Sequence, residues 1–219
     1  MIPWEWIEDR LRRPRPVPMW SGLPEFAETC RTAYRRDVWA DQPGYVEAWL
    51  EKDALSGIFE NELEPYGVTL NVGRGYDGWD SLHKAAERYK AVSEGKHVTV
   101  LYFGDFDPSG EDMYRSLGDR LARLGTEPEI IKCALTADDM HRYNLPPNRA
   151  KTTDSRTRKF VAENGGDETA ELDALPVTVL RDRLRQEVES RMDLDALNAT
   201  KEREEAERAL LVDFLKDAK

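Results

Sequence analysis

Residues 97–110 decide the fold, and they are His97-Val98-Thr99-Val100-Leu101-Tyr102-Phe103-Gly104-Asp105-Phe106-Asp107-Pro108-Ser109-Gly110. The first seven are almost wholly apolar, which predicts a strand. Asp107 followed by Pro108 is typical of a helix start, with the aspartate as N-cap and the proline at the first helical position. Apolar residues then recur on one helical face at Met113, Leu117, Leu121 and Leu124. The stretch therefore predicts a strand, a turn with two aspartates, and a helix.

Further strand and helix patterns lie on both sides of this unit. Residues 45–51 alternate with the period of a strand, and two more strands are predicted at residues 67–72 and 129–135. Helical patterns begin after Asp53 and near Ser81, and residues 175–219 are again helical. Strands that alternate with helices at this spacing predict an α/β fold, a mostly parallel sheet flanked by helices. Such sheets place their chemistry at the carboxyl ends of the strands.

The composition argues against several classes of protein. The chain has 219 residues, of which 43 are acidic and 32 basic, and a net charge of −11 disfavours a protein that coats nucleic acid through bulk charge. The two cysteines, Cys30 and Cys133, are far apart and only three histidines are present, which disfavours zinc and disulfides and favours a reducing cytoplasm. No apolar run reaches about 18 residues, so we expect neither a membrane span nor a signal peptide.

Three carboxylates follow two of the predicted strands. Glu51 ends the first strand, and Asp105 and Asp107 follow the third, so we expect all three at one edge of the sheet. Three negative charges would repel one another, whereas a divalent cation would make the cluster favourable. Oxygen ligands of this kind suit magnesium. The alternative is an ordinary helix start, in which Asp107 is only an N-cap.

Four short segments of the chain carry a family resemblance. They are Leu50-Glu51-Lys52, Gly73-Arg74-Gly75-Tyr76, Gly104-Asp105-Phe106-Asp107-Pro108-Ser109-Gly110 and Glu171-Leu172-Asp173-Ala174-Leu175. In order and spacing they resemble motifs of the Toprim domain, which topoisomerases, bacterial-type primases and OLD-type nucleases share. The resemblance is greatest to the A subunit of topoisomerase VI and its meiotic break-forming relatives, and it covers about residues 45–190.

The resemblance implies a Toprim-like, Rossmann-like core that binds magnesium, or manganese in its place, through Glu51, Asp105 and Asp107. It implies that Glu51 also moves a proton. Glu111 and Asp112 are candidates to assist a second ion, although no motif includes them. The implied function is metal-dependent cleavage of DNA phosphodiester bonds. The alternative is a binding or regulatory module whose metal site only orders DNA or a partner.

The resemblance also suggests how the chain is organised. Residues 45–140 would be the Toprim core, and residues 141–219 a basic loop with C-terminal helices that pack on it. Residues 1–44 would be an N-terminal arm, because residues 2–13 look like the segment that follows a winged-helix domain in related proteins. In the family that domain carries the tyrosine that attacks DNA, so we expect it to be missing here or supplied by a partner subunit. Nothing in the sequence distinguishes Tyr34, Tyr45, Tyr76 or Tyr114 as a nucleophile.

A competing motif lies between the second strand and the helix after it. Residues 73–78 match Gly-x-Gly-x-x-Gly, the pattern of a dinucleotide-binding loop. However, Asp77 and Asp80 would stand where a pyrophosphate approaches, and no acidic strand end follows at about 20 positions. A nucleotide-binding enzyme is therefore the third hypothesis. The simplest interpretation is a turn whose glycines need a positive φ, and Arg74 is a candidate phosphate contact.

Basic residues concentrate in residues 142–160. The candidate DNA contacts are Arg149, Lys151, Arg156, Arg158 and Lys159 in this segment, together with Lys52 and Arg74 outside it. Interleaved asparagine, serine and threonine side chains can position phosphates. The alternative is a solvated loop that balances acidic neighbours. In the C-terminal helices, an apolar stripe with glutamates outside indicates either core packing or a homodimer contact.

Overall fold

A computed structural model describes residues 17–73, 78–151 and 153–217. The chain divides into two compact units, Asp37–Lys201 and a smaller unit that joins Met1–Arg36 to Glu202–Lys219. The arm segment at residues 2–13 and the turn residues 74–77, which include Arg74 and Tyr76, lie outside the described residues.

The larger unit is built on a parallel sheet. Its strands are β1 (Gly44–Leu50), β2 (Thr69–Val72), β3 (His97–Phe103) and β4 (Glu129–Ala134), in the order β2-β1-β3-β4. The helices of the chain are α1 (Leu23–Ala33), α2 (Ser56–Leu63), α3 (Trp79–Ser93), α4 (Pro108–Arg123), α5 (Ala137–Arg142), α6 (Thr157–Asn164), α7 (Val177–Glu189) and α8 (Leu194–Asp217). Short 3-10 turns lie at Asp53–Leu55, Glu64–Tyr66 and Leu172–Ala174. The predicted α/β fold with a parallel sheet, flanking helices and a helical C-terminal region is confirmed.

Both faces of the sheet are buried, because β1 and β3 lie at its centre and helices cover each side. On one face Val46, Ala48 and Leu50 belong to a core that also holds residues of α2 and α7. On the other face Trp49 packs in a second core with residues of α3 and α4, among them Tyr89. The alternation of residues along β1 therefore divides its side chains between two hydrophobic cores.

A helix stands where the sequence predicts a polar loop. Helix α6 buries Phe160 against Phe106, with ring centroids 5.1 Å apart. The two-residue strands β5 (Asn148–Arg149) and β6 (Glu168–Thr169) pair in antiparallel fashion on either side of this helix in the sequence. The loop interpretation of this segment is wrong for residues 157–164. A single buried apolar residue, Phe160, gives this polar segment no helical periodicity. Tertiary packing therefore decides the structure of the segment.

The smaller unit joins the N-terminal segment to the end of α8. The Tyr34 hydroxyl donates to Glu207, and Arg208 Nη2 donates to the Tyr34 carbonyl oxygen at 2.9 Å. Helix α1 buries none of its residues, and Trp20 packs edge-on against Phe26 with ring centroids 4.9 Å apart. The bonds of Tyr34 to Glu207 and Arg208 therefore link the two described segments of this unit through polar groups.

Candidate metal-binding site

The first carboxylate, Glu51, comes directly after β1. In the β1–β3 register Leu50 stands beside Phe103, and the Glu51 N–H extends the ladder by donating to the Phe103 carbonyl oxygen at 2.9 Å. The two central strands therefore end at the same level. This register brings the loops that carry Glu51 and Asp105 to one edge of the sheet.

Glu51 and Asp105 are in direct contact. The Asp105 N–H donates to Glu51 Oε2 at 3.0 Å, and the Tyr102 hydroxyl lies 3.4 Å from the same oxygen. The Asp105 carboxylate accepts a bond from the Leu172 N–H at 2.7 Å through Oδ1. Backbone N–H groups thus fix the direction of both carboxylates.

The third carboxylate caps a helix. Asp107 has an extended backbone, with φ −150° and ψ 171°, and its Oδ1 accepts from the Gly110 N–H at 2.7 Å. Pro108 follows in the first turn of α4, so the predicted N-cap is confirmed. Capping engages one oxygen of the carboxylate, so it does not exclude a metal-binding role for Asp107.

Two glycines allow the carboxylates to come this close. A Cβ on Gly104 would stand 2.5 Å from Glu51 Oε2 and 2.7 Å from the Tyr102 ring. A Cβ on Gly110 would overlap the carbonyl group of Asp105. The close packing of the edge therefore requires glycine at both positions, whatever their backbone angles.

Burial and mutual repulsion disfavour a state in which Glu51 and Asp105 are both negatively charged. Burial first, and then repulsion from Asp105, raises the pKa of Glu51 to about 7. Burial likewise raises the pKa of Asp105, although the Leu172 N–H and the charge of Lys52 act against it. A carboxyl group with a pKa near neutrality can accept or release a proton there, and a bound cation would favour its charged form.

Carboxylate oxygens are the donor type that magnesium prefers, but they do not form a preassembled cage. Among the described residues, no three or more His, Cys, Asp or Glu side chains are gathered so that they could hold a metal ion. Magnesium keeps several waters and is usually bound through one or two carboxylates. The carboxylates of Glu51 and Asp105, which repel one another electrostatically, and that of Asp107 close by in the chain therefore fit magnesium by their chemistry.

Both candidates for a second ion are paired with cations. Glu111 contacts Lys132, and both side chains are largely buried, while Asp112 lies 3.4 Å from Arg115. Lys132 Nζ also donates to the Asp105 carbonyl oxygen at 3.3 Å. These contacts favour a structural role for Glu111, because its partner Lys132 links α4 to the loop that carries Asp105.

A segment after α6 closes the site from one side, a placement that no local pattern in the sequence predicts. Phe106 and Ala170 form an antiparallel bridge with backbone bonds of 2.9 and 3.0 Å. Lys52, a candidate DNA contact, pairs with Glu171 at 2.5 Å and Asp173 at 2.8 Å. We call this segment the clamp (residues 168–174). In the sequence, the Glu-x-x-Ala-Leu motif at residues 171–175 marks it. The clamp joins the loops that follow both central strands.

A cavity of about 550 Å³ adjoins Asp107, and three candidate DNA contacts line it. They are Arg149, Lys151 and Arg156. Arg158 and Lys159 lie exposed on α6 and are not part of that lining. Arg74 lies outside the described residues. The structure therefore separates the basic segment into cavity-lining residues and outward-facing ones.

The glycine turn differs from its simplest interpretation. Gly78 has φ −63° and caps α3, and a Cβ there would meet nothing within 4 Å. Gly73 donates its N–H to the Leu50 carbonyl oxygen at 2.7 Å, and Gly75 lies outside the described residues. The expectation that this turn needs glycine for positive φ is therefore wrong at Gly78.

Three of the four candidate tyrosines, Tyr34, Tyr45 and Tyr114, are engaged and unactivated, and Tyr76 lies outside the described residues. The hydroxyls of Tyr45 and Tyr114 donate to Glu47 Oε1 at 2.8 Å and to the Ile130 carbonyl oxygen at 3.1 Å. Burial raises the pKa of both, that of Tyr45 to about 12, and the hydrogen bond to Glu207 raises the pKa of Tyr34. A raised pKa lowers the phenolate fraction, which is the opposite of activation.

Comparison with known proteins yields no family for the chain. It matches no protein-family model, and no curated protein is significantly similar to it in sequence. Fold and site together define a class, a parallel α/β protein with a carboxylate cluster at the carboxyl ends of its central strands. The interpretation of that cluster rests on its geometry and on the motifs of the sequence.

Proposed function

We propose that the chain is a Toprim protein, similar to the topoisomerase VI A and break-forming group, that cuts DNA at phosphodiester bonds with magnesium or manganese as cofactor. The observation that carries this proposal is the contact between Glu51 and Asp105 at the level ends of β1 and β3. The position of Asp107 at the start of α4 supports it, because a cavity lined by basic residues begins there.

Distinct roles follow for the residues of the site. Glu51, Asp105 and Asp107 hold the metal, which when bound polarises the scissile phosphate and lowers the pKa of an attacking water. The N–H groups of Asp105 and Leu172 orient two of the carboxylates. Glu51 is the residue proposed to move a proton, and in the metal-free chain burial and repulsion from Asp105 raise its pKa to about 7.

The experiment that tests this function is cleavage of labelled supercoiled plasmid with magnesium or manganese. The full chain should produce slow hydrolytic nicking, since Tyr34, Tyr45 and Tyr114 are not activated, and EDTA should stop it. Asp105→Asn should reduce the rate at least about 100-fold. The control is Asp119→Asn, the same charge change at an exposed position of α4. Label that migrates with the protein after a detergent quench would contradict hydrolysis and point to a tyrosine nucleophile.

The alternative function is a DNA-binding or regulatory Toprim module whose chemistry needs another domain or partner. The observation that favours it is the lack of a preassembled group of three metal ligands among the described residues. Metal-dependent stabilisation and DNA binding without any cutting, with either metal, would select this alternative.

The cellular setting proposed for the protein is the reducing cytoplasm, because Cys30 and Cys133 are both free thiols. Burial raises the pKa of Cys133 to about 12, which keeps that thiol unreactive. No helix in residues 17–73, 78–151 or 153–217 has the length and apolar character needed to cross a membrane. DNA is the proposed ligand partner. A winged-helix domain or subunit and a second copy of the chain are the proposed protein partners.

A further inference from the structure

The cavity beside the carboxylate edge is bounded by three parts of the larger unit, one of which is the clamp. Asp107 and Ser109 line it from the start of α4, while Asn148, Lys151 and Arg156 line it from the segment around β5 and before α6. Its volume of about 550 Å³ lies within the usual range of ligand sites, about 300–1,000 Å³. The cavity is therefore large enough for a phosphate group, and it shares Asp107 with the proposed metal site.

Arg156 is held so that it faces the start of α4. Its Nε and Nη2 donate to the two carboxylate oxygens of Asp154 at 2.9 and 2.7 Å, and its backbone N–H donates to the same side chain at 2.9 Å. Nη1 reaches Ser109 Oγ at 3.2 Å. Asp154 thus fixes the guanidinium, and a cation fixed in advance loses less side-chain entropy when it binds a ligand.

The charges of the lining leave room for an anion. The lining holds three basic residues and three acidic ones, Asp107, Asp154 and Glu171. Asp154 pairs with Arg156, and Glu171 pairs with Lys52, which is not part of the lining. Asp107 belongs to the carboxylate cluster and caps α4. Arg149 pairs with Asp167 outside the lining, so Lys151 is the cation that adds positive charge beside Arg156.

We propose that this cavity binds a phosphodiester of the DNA backbone, next to the phosphate at the carboxylate edge. Arg156 Nη1 and Ser109 Oγ are its direct donors, and Lys151 is the second cation. Guanidinium and hydroxyl groups are common donors to phosphate oxygens, and hydrogen bonds from a charged donor are the strong ones. The inference rests on the proposed function and deepens it, because it separates the cavity residues from basic residues such as Arg158 on the outer face of α6.

The test is a fluorescence-anisotropy titration of the full chain with a labelled hairpin oligonucleotide that has a single-stranded tail, in EDTA and low salt. Arg156→Ala should weaken binding at least about tenfold, and Ser109→Ala about threefold. The matched control is Arg158→Ala, the same charge change two residues away, which should stay within about twofold. Equal losses in the two arginine variants would overturn the proposal, and so would the absence of binding by the unmodified chain.

Three further measurements keep the result interpretable. Arg156→Ala removes the partner of Asp154, so Arg156→Lys, which keeps the charge, should recover part of the lost affinity, and Ser109→Ala tests the site without touching that pair. If Arg156→Ala weakens binding only when the oligonucleotide carries a 5′-phosphate, the cavity takes a terminal monoester and the phosphodiester assignment is overturned. If magnesium does not shift the melting temperature but DNA binding still depends on Arg156, the metal-dependent function is contradicted and the phosphodiester site is retained.

Discussion

Glu47 lies within β1 and Glu51 directly follows that strand, yet the two glutamates have opposite electrostatic surroundings. Glu47 is fully buried, and Arg88 binds both of its carboxylate oxygens, at 2.7 and 2.9 Å. Three further donors complete its environment: Tyr45, Asn71 and Tyr89. Glu51 instead accepts the Asp105 N–H and faces neighbouring carboxylates, and burial together with their repulsion raises its pKa to about 7.

The comparison teaches that burial of a carboxylate does not by itself mark a functional site. Glu47 joins β1 to β2 and α3 through a donor network, so its charge is matched within the fold. Glu51 lies where like charges meet, so its charged form gains from an added cation. The nature of the neighbours, and not the depth of burial, separates a structural carboxylate from a candidate ligand. The predictions that follow test this distinction.

The largest expected effect is on the structural glutamate. Arg88→Ala should lower the free energy of unfolding by about 3 kcal/mol, because it leaves the buried Glu47 carboxylate without its cation. Urea denaturation measures the change. The control is Lys84→Ala on the same helix, where an exposed pair with Asp80 should contribute less than about 0.5 kcal/mol. If the two variants lose equal stability, the Glu47 network is not what holds β1 to α3.

The second effect is stabilisation by magnesium, which should act on the other region. A ligand that binds only the folded chain adds about 2.7 kcal/mol when its concentration is about 100 times Kd, so the melting temperature should rise. Asp107→Asn should lose most of that rise while keeping the helix cap, because asparagine caps as well as aspartate. Asp119→Asn should keep the full rise. A full response in Asp107→Asn would place the metal elsewhere.

The third effect is a pH dependence of stability that Glu51 should cause. Its pKa is raised, so the folded chain binds a proton that the unfolded chain has released, and this contribution is present below the ordinary carboxyl pKa of about 4.3. The contribution is lost as the pH rises through about 7. Relative to the unmodified chain, Glu51→Gln should therefore gain stability between about pH 5 and about pH 8 in urea denaturation without metal. A difference that does not change with pH would contradict the raised pKa.

The smallest expected effect concerns the clamp. Lys52→Ala should lower the free energy of unfolding by less than about 1 kcal/mol, because its partners Glu171 and Asp173 are exposed and such pairs contribute little. The difference should shrink in high salt, since exposed charges are screened. A double-mutant cycle with Glu171→Gln measures the pair directly. A loss of about 2 kcal/mol or more that persists in salt would mean that the Lys52 pairs are shielded from solvent and hold the clamp.

Local patterns in the sequence were enough to predict the strand and the helix start that position the site. The apolar run His97–Phe103 matches β3, and Asp107 with Pro108 begins α4 as predicted. These features succeed because strand periodicity and helix capping depend on residues that are neighbours in the chain. The parallel sheet followed from the alternation of such elements, and its strand ends place Glu51 and Asp105 at one edge.

Only the tertiary structure decided which charged side chains meet. The pairing of Glu47 with Arg88 spans 41 positions, and the bond from the Leu172 N–H to Asp105 spans 67. Helix α6 likewise depends on the ring contact between Phe160 and Phe106, which no local periodicity in the sequence predicts. The sequence supplied the residue types and the ends of the strands. The free energy of a buried charge depends on donors and charges brought from distant parts of the chain, so its role was settled only by folding.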